Sequence, residues 1–330
     1  MGSPSSTIAL TGGTGFLGSH IAEALLAEGH GVRALARRPD DPGWLKGLAV
    51  ELVPGDVRKP ESLLALVRGA SVVIHVAGKT SARSLDEYRE ANVGGVVNVL
   101  RACREAAPGA HVVLISSQAA AGPSLDGSPV TLATPPRPVS PYGQSKLEGE
   151  NALKQEAGPT PFTILRPSAV YGPRETALRD LFVASSRGFV PLLAGGRPKV
   201  QMVYSGDVAR AVLGTMARGG RGETFFVAHP EILDFRQVAE TIARLRTPSA
   251  RLLPVPAFVV RSAGAVVGFL SRFQGGPPVF NRDKAEEMLQ PAWTCDVAAA
   301  EEALGSPFRT PFAVGTRLTN DWYREKGWIR

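Results

Sequence analysis

The feature that most constrains this chain is a cluster of glycines near its start. Residues 8–19 read IALTGGTGFLGS, so Gly12, Gly13, Gly15 and Gly18 follow directly after an apolar run. Glycine loses more conformational freedom on folding than any other residue, so this cluster indicates a backbone that turns tightly or approaches another group closely. We therefore predict a strand, a tight turn and a helix at the start of the chain.

The first half of the chain alternates short β-branched runs with amphipathic segments, which is typical of repeated βαβ units. Apolar residues recur at helical spacing between these runs, as at Leu63, Leu64 and Val67. Six such runs predict an α/β fold, a Rossmann doubly wound parallel sheet. The predicted strands are Thr7–Leu10, Gly31–Ala36, Val50–Val53, Ser71–Val76, His111–Ser116 and Phe162–Arg166.

Within such a unit, the glycine turn predicts a phosphate site. The free N–H groups and the dipole at a helix start attract a pyrophosphate, and glycines allow the phosphates to approach the backbone. The alternative is a tight turn that binds no ligand. The residues predicted to line the cofactor here are Gly12, Thr14, Gly15, Phe16, Leu17 and Gly18.

The end of the second predicted strand indicates which dinucleotide binds. An acidic residue there suits the ribose hydroxyls of NAD, whereas arginine suits the additional phosphate of NADP. The sequence is VRALARRPDD, with Arg37 and Arg38 where an acid would stand. We therefore favour NADP(H), with Arg37 contacting the phosphate. NAD(H) stays open, because Asp40 or Asp41 could fold back and the arginines could be solvated.

Two residues four apart on a predicted helix, Tyr142 and Lys146 in PYGQSK, place an ammonium near a phenol. Moving a tyrosine pKa from about 10 to about 7 requires roughly 4 kcal/mol, and a unit charge at about 4 Å supplies roughly that much at an effective dielectric near 20. Oxidised nicotinamide would add further positive charge. We therefore expect a lowered Tyr142 pKa and a general acid or base at this position.

These motifs resemble the extended branch of the short-chain dehydrogenase/reductase superfamily. The spacing Gly12-x-x-Gly15-x-x-Gly18 matches its TGxxGxxG turn, and LRPSAVYGP and VYSGDVARAV match later segments. The resemblance implies a Ser-Tyr-Lys site with Ser117, in LISSQAAAG, as the serine. It also implies further cofactor-binding residues, which are Asp56, Val57, Val76, Ala77, Gly78, Asn92, Pro167 and Val170, besides Tyr142 and Lys146.

Within this superfamily, the chain looks most like the dihydroflavonol-reductase and 3β-hydroxysteroid-dehydrogenase group. Val200 and Ala169 replace an arginine and an asparagine that are usual in the sugar epimerases, and the later part of the chain is rich in apolar residues. We expect reversible hydride transfer between NADP(H) and a ketone or secondary alcohol on a hydrophobic small molecule. Two alternatives stay open, a nucleotide-sugar epimerase with tightly bound NAD and a non-catalytic NADP-binding scaffold or sensor.

After Pro167 the pattern loosens, and prolines and glycines become frequent. Short strands are predicted at Val200–Tyr204 and Thr224–Ala228. We predict a dinucleotide-binding domain over residues 1–170, with later returns to its sheet near residues 200–228. Residues 171–330 would then form mainly a smaller C-terminal lobe that binds the substrate.

Composition narrows the partners. The net charge is +7, but lysine and arginine are scattered and only five tyrosines occur, so we expect no nucleic-acid partner. Cys103 and Cys295 lack metal-ligand spacing, so we expect no metal site and a cytoplasmic location. Two prolines and Arg261 interrupt the apolar residues 252–270, which predicts a lid or pocket helix and leaves an interfacial membrane contact open. We expect a monomer or a homodimer.

Overall fold

The computed structural model describes residues 7–246, 248–270 and 280–329. Its main sheet contains seven parallel strands, and their order is β3-β2-β1-β4-β5-β6-β10. The chain order reverses between β1 and β4, which places a crevice at the carboxyl ends of these strands. The strands are β1 (Thr7–Thr11), β2 (Gly31–Ala36), β3 (Val50–Pro54), β4 (Val72–His75), β5 (His111–Ile115), β6 (Phe162–Pro167) and β10 (Glu223–Val227).

Helices cover both faces of this sheet, which explains why its strands are apolar on both sides. One face packs against α1 (Phe16–Ala27), α7 (Ser205–Arg218) and α11 (Ala298–Ala303). The other face packs against α2 (Leu63–Val67), α4 (Gly94–Ala106) and α5 (Pro141–Glu156). A further helix, α3 (Leu85–Asn92), contacts both α4 and α5.

A second group of elements surrounds a separate apolar core, and we call it the C-terminal lobe. Strand β9 pairs with β7, β11 and β13, and β8 pairs with β12. The strands of this lobe are β7 (Ala169–Tyr171), β8 (Phe189–Leu193), β9 (Lys199–Tyr204), β11 (Ile232–Asp234), β12 (Arg251–Val255) and β13 (Ala292–Trp293). Its helices are α6 (Arg179–Ser186), α8 (Phe235–Ala243), α9 (Ala257–Leu270), α10 (Arg282–Met288) and α12 (Phe312–Glu325).

The six strands predicted in the first half are all present in the main sheet. The two later strands are also present, but they lie in different sheets. The segment predicted at Thr224–Ala228 is β10, which pairs in parallel with β6 at the edge of the main sheet. The segment predicted at Val200–Tyr204 is β9, whose partners all belong to the C-terminal lobe.

Aromatic side chains join the two parts of the molecule near the glycine turn. Trp44, in the loop after β2, lies with its ring centroid 5.6 Å from that of Trp322 and 6.1 Å from that of Trp328. The guanidinium of Arg174 lies 5.5 Å from the Trp44 ring centroid. These contacts bury aromatic surface between the loop after β2, next to the glycine turn, and the end of the chain at and after α12.

The apolar residues 252–270 form β12 and α9. Among the described residues, no helix combines the length and the apolar character that crossing a membrane requires.

Candidate active site

The glycine turn after β1 has the tight geometry that the sequence predicts. Gly12 has φ +73°, and a Cβ atom there would lie 2.7 Å from the Ala77 backbone nitrogen. A Cβ atom at Gly18 would lie 2.2 Å from the Gly12 carbonyl oxygen. Only glycine fits these two positions, because backbone atoms occupy the space that a side chain would need.

The start of α1 is open and carries no negative charge. Gly15 is its exposed N-cap residue and supplies no side-chain cap, and no acidic residue lies in the first turn. Thr14, Phe16 and Leu17 are partly accessible beside it. An uncapped, acid-free helix start is a favourable site for an anion, so the turn fits the pyrophosphate of a dinucleotide.

The end of β2 presents one unpaired guanidinium. Arg37 is exposed and forms no ion pair with any described residue, whereas Arg38 pairs with Asp41 at 3.0 Å. Asp41 therefore folds back on Arg38 and leaves Arg37 available to a ligand. The charge of Arg37 also contributes to lowering the pKa of Asp56, so these two side chains lie near each other.

Asp56, predicted to contact the adenine, already has a protein partner. The Arg58 guanidinium donates to both carboxylate oxygens, at 3.0 and 2.8 Å. Hydrogen bonds from Arg58 lower the pKa of Asp56 to about 2. A bound adenine would therefore meet an Asp56–Arg58 pair rather than a free carboxylate. The neighbouring Val57 is buried, and its carbonyl accepts from Asn98 Nδ2 at 2.9 Å.

The turn after β4 is held by two residues that the sequence analysis missed. Thr11 Oγ1 accepts from the Ala77 N–H at 3.2 Å and lies 2.7 Å from His75 Nδ1. Burial, followed by the charge of Lys146, lowers the pKa of His75 to about 3, so this histidine is neutral. Val76 is partly accessible and its carbonyl carbon lies beside Gly12, whereas Gly78 is exposed and lies next to Asn92 and Lys146.

Asn92 connects this turn to α5. Its Oδ1 accepts from the Lys79 N–H at 2.8 Å, and its Nδ2 donates to Ser145 Oγ at 2.9 Å. A Cβ atom at Gly78 would lie 2.8 Å from Asn92 Oδ1. Asn92 therefore holds the backbone of this turn against α5, and its predicted contact with the cofactor stays a prediction.

Ser117, Tyr142 and Lys146 come together at the carboxyl edge of the sheet. Ser117 follows β5, and its hydroxyl accepts from the Ala119 N–H at 3.1 Å and lies close enough to Tyr142 to oppose the rise in the pKa of that phenol. Tyr142 and Lys146 lie one turn apart near the start of α5. Lys146 is buried, and its Nζ donates to the Ile115 carbonyl at 2.7 Å. A hydroxyl, a phenol and an ammonium in this arrangement can bind and protonate a carbonyl oxygen.

The prediction of a lowered Tyr142 pKa is wrong when the protein groups alone act on the phenol. Burial raises the pKa of Tyr142 to about 12, and the Ser117 hydrogen bond only partly opposes this. Burial also lowers the pKa of Lys146 to about 8, although the charge of Glu150 acts in the opposite direction. The prediction counted the charge of Lys146 but not the desolvation of the phenol, which is the larger effect here.

The two neighbouring serines have different surroundings. Ser116 is buried, and its hydroxyl donates to Glu150 Oε1 at 2.5 Å. Arg166 binds the same carboxylate through Nε at 2.9 Å and through its terminal nitrogen at 2.7 Å. Ser116 is therefore occupied by a buried ion pair, while the partly accessible Ser117 faces Tyr142.

Pro167 and Val170, predicted on the nicotinamide side, lie where the chain leaves the main sheet. Pro167 is buried at the end of β6 and pairs with Val227. Val170 is partly buried in β7 and pairs with Val203. Both lie on the segment that links the sheet to the C-terminal lobe.

The sequence analysis also missed a contact that reaches α5 from the lobe. Ser140 is the N-cap residue of α5, and its hydroxyl donates to Glu287 Oε1 in α10. The two residues lie 147 positions apart and share no motif, so no local signal could have identified the pair. Glu150, by contrast, lies four residues after Lys146 on one helix face, a spacing that could have been recognised.

The chain is similar in sequence to a known family and to known reductases. Residues 8–228 match the NAD dependent epimerase/dehydratase family. The chain is 36% identical to the ceramide reductase of Caulobacter vibrioides, over 98% of this chain and 96% of that protein. It is 29% identical to the 4-hydroxy-2-methyl-3-oxo-4-farnesyl-3,4-dihydroquinoline-1-oxide ketoreductase of Stigmatella aurantiaca, over 77% of each protein.

A solved structure shows the same fold. UDP-glucose 4-epimerase from Thermotoga maritima superposes with a TM-score of 0.79 and 22% identity, over 97% of this chain and 99% of that one. The family match, the reductase relatives and the open phosphate turn agree with one another. The chain belongs to the NAD dependent epimerase/dehydratase family and is an oxidoreductase of the extended short-chain dehydrogenase/reductase type.

Proposed function

We propose that this enzyme reduces a ketone on a hydrophobic small molecule through Ser117, Tyr142 and Lys146, with NADPH as the hydride donor. The observation that carries the proposal is the placement of Ser117 at the end of β5 beside Tyr142, whose pKa it influences, with the buried Lys146 one helical turn further along α5. Reduction of a ketone requires a proton donor beside the substrate oxygen, and a protonated phenol meets that requirement.

Each side chain has a distinct role in this proposal. The Ser117 hydroxyl holds the ketone oxygen by a hydrogen bond, and Tyr142 donates its proton to that oxygen. Lys146, fixed by the Ile115 carbonyl, contributes positive charge near the phenol and a donor for the nicotinamide ribose. Bound NADPH would supply the hydride. The high pKa of Tyr142 suits this direction, because the phenol stays protonated at neutral pH.

The preference for NADPH is supported by Arg37. Its guanidinium is exposed at the end of β2 and is unpaired among the described residues, because Asp41 binds Arg38 instead. An arginine fork matches a phosphate through several charge-assisted hydrogen bonds. The ribose phosphate of NADPH would provide that partner.

The hydrophobic substrate class is supported by the relatives and by the C-terminal lobe. The ceramide reductase and the farnesyl-dihydroquinoline ketoreductase act, by their names, on molecules with long apolar groups. A cavity of about 480 Å³ lies between β8, β9 and the two helices α9 and α10. Its lining consists of Ala194, Gly195, Arg197, Pro198, Pro256, Ala257, Leu289 and Pro291.

That lining is mostly apolar and does not include Ser117 or Tyr142. We therefore assign the cavity to the body of the substrate and the carboxyl edge of the sheet to its ketone. In this arrangement, residues 1–170 mainly bind the dinucleotide and residues 171–330 mainly bind the substrate.

A panel assay tests this function. Purified enzyme is mixed with NADPH or NADH and with long-chain ketones, steroid ketones or nucleotide sugars, and dinucleotide oxidation is followed. We expect oxidation of NADPH with at least one lipophilic ketone. Epimerisation of a nucleotide sugar without net dinucleotide oxidation would instead establish the epimerase alternative. Dinucleotide binding with no turnover of any compound would favour the sensor alternative.

We propose that the exposed face of α9 brings the enzyme to the bilayer in which such substrates dissolve. Six apolar side chains of this helix are between 40% and 69% exposed, which are Phe258, Val259, Val266, Val267, Phe269 and Leu270. No acidic residue occurs between Glu240 and Asp283, whereas that stretch contains six arginines. An apolar face within a basic segment is suited to a membrane surface that carries anionic lipids.

Co-sedimentation with phosphatidylglycerol-containing vesicles tests this contact. Replacing Phe258 and Val267 by aspartate should abolish vesicle binding, because the charges would enter the apolar layer. Val314→Asp is the matched control, since Val314 is 51% exposed on a different helix, α12. Unchanged binding of the α9 variant, or equal loss in the control, would contradict the contact.

A further inference from the structure

Helix α10 reaches the catalytic helix through one carboxylate. Ser140 Oγ accepts from the Gly143 N–H at 3.1 Å, as the cap of α5, and donates to Glu287 Oε1. Ser140 and Glu287 are each 8% exposed, so this contact is shielded from water. Tyr142 lies two residues after Ser140, in the first turn of the same helix.

The carboxylate of Glu287 is held in place from its own side as well. Its second oxygen, Oε2, accepts from Lys284 Nζ at 2.9 Å, and its backbone carbonyl accepts from Trp293 Nε1 at 2.8 Å. The Lys284 side chain is 51% exposed, so water screens much of its positive charge. The negative charge of Glu287 is therefore only partly balanced on the side that faces α5.

Several groups surround the Tyr142 phenol, and Glu287 is the acid that acts on it. Ser117 lies at the end of β5, Lys146 lies one turn along α5, and the ring centroid of Tyr88 in α3 lies 6.0 Å from that of Tyr142. The charge of Glu287 raises the pKa of both tyrosines, and Asp283 adds to this effect at Tyr88. The phenol is thus held in the form that donates a proton.

The residues directly after α10 line the cavity that we assign to the substrate. Helix α10 packs closely on α9 at Gly264. A Cβ atom added to Gly264 would lie 2.8 Å from the carbonyl oxygen of Asn281, the N-cap residue of α10. Leu289 and Pro291, just beyond α10, line the cavity together with Pro256 and Ala257 at the start of α9. Helix α10 therefore contacts α5 through Glu287, and the segment that follows it lines the cavity assigned to the substrate.

We propose that Glu287 is a positioning residue, which ties α10 to the first turn of α5 through Ser140 and holds a negative charge at that turn, two residues before Tyr142. The inference rests on the proposed ketone reduction. It assigns to the C-terminal lobe a part in the chemical step as well as in substrate binding.

Glu287→Gln tests the charge while keeping the contact, since glutamine also offers an oxygen to Ser140. Reduction requires a protonated phenol, so its rate falls as the pH rises through the pKa of Tyr142. Removing the negative charge makes the phenolate easier to form, and this high-pH limb of kcat/KM should move to lower pH by about 0.5–1 unit. Glu286→Gln is the control, because Glu286 lies on the same helix but pairs with Arg261.

Ser140→Ala tests the contact while keeping the charge. It should lower kcat severalfold at neutral pH, with little change in KM for NADPH and little movement of the high-pH limb. Thermal unfolding of each variant shows whether it folds. Should Glu287→Gln fail to fold, the test rests on Ser140→Ala, in which kcat should fall while KM for NADPH stays unchanged. An unmoved limb in Glu287→Gln, or an unchanged kcat in Ser140→Ala, would overturn the inference. Wild-type turnover separately reports the proposed function.

Discussion

Two helices begin at the carboxyl edge of the main sheet, and their first turns are built in opposite ways. Helix α1 begins after Gly15 with no side-chain cap and no acidic residue. Helix α5 begins after Ser140, which caps the Gly143 N–H and is itself bound to the buried Glu287. The first turn is open and suited to an anion, while the second is closed by an anion that the chain supplies.

The two helix starts therefore have different proposed roles, with α1 binding the cofactor and α5 performing the proton transfer. At α1 the proposed partner is a dinucleotide from outside the chain, and Gly12, Gly15 and Gly18 keep side chains out of the turn. At α5 the partner comes from α10, and the result is a fixed tyrosine rather than a ligand site. We infer that changes at α1 affect dinucleotide affinity, whereas changes at α5 affect the rate of reduction.

Tyr142→Phe should have the largest effect. It removes the proton donor of α5 but leaves α1 unchanged, so we expect kcat to fall by about 10²–10⁴-fold with little change in NADPH affinity. Steady-state kinetics and dinucleotide titration of the same preparation provide the two values. Unchanged turnover would show that the proton comes from another group.

Gly15→Asp should have the next largest effect, because it makes α1 resemble a capped helix. Gly15 has extended backbone angles, and a Cβ atom there would meet only the Gly12 carbonyl, at 3.5 Å, so aspartate fits. The new carboxylate should stabilise the dinucleotide-free protein by about 1 kcal/mol as an N-cap. Its charge should weaken NADPH binding on the order of 100-fold.

Gly15→Ala is the matched control for that variant, since it adds a Cβ atom without a cap or a charge. Thermal unfolding without dinucleotide and calorimetric titration with NADPH measure the two effects. Equal affinities of the aspartate and alanine variants would mean that the phosphates bind elsewhere.

Arg37→Ala should have the smallest of these effects and a selective one. Loss of the guanidinium should weaken NADPH binding by about tenfold to hundredfold, because hydrogen bonds between charged partners are lost. NADH binding should change little, as NADH lacks the ribose phosphate. Arg38→Ala is the control, since Arg38 is paired with Asp41. Equal weakening for both dinucleotides would remove Arg37 from the phosphate site.

The sequence was sufficient for the parts of the molecule that depend on local spacing. The strands of the main sheet follow from buried apolar runs, and the glycine turn follows from spacing that backbone contacts at Gly12 and Gly18 require. Tyr142 and Lys146 were predictable because residues four apart share a helix face.

Long-range contacts and burial were not predictable. The Ser140–Glu287 contact spans 147 residues and the Thr11–His75 contact spans 64. The Tyr142 pKa was predicted in the wrong direction because the depth of burial cannot be read from spacing. Lys146 Nζ donates to the Ile115 carbonyl, and desolvation of the phenol is the largest effect on the Tyr142 pKa.

The central claim is net reduction of a lipophilic ketone by hydride from the dinucleotide, and isotope transfer tests it most directly. The enzyme is incubated with NADPH deuterated on the transferring face of the nicotinamide and with a ketone that the panel identifies. We predict an alcohol that carries one deuterium on the carbinol carbon, with one NADPH oxidised per alcohol formed. An alcohol without deuterium, or an isomerised sugar without net oxidation of NADPH, would contradict the claim.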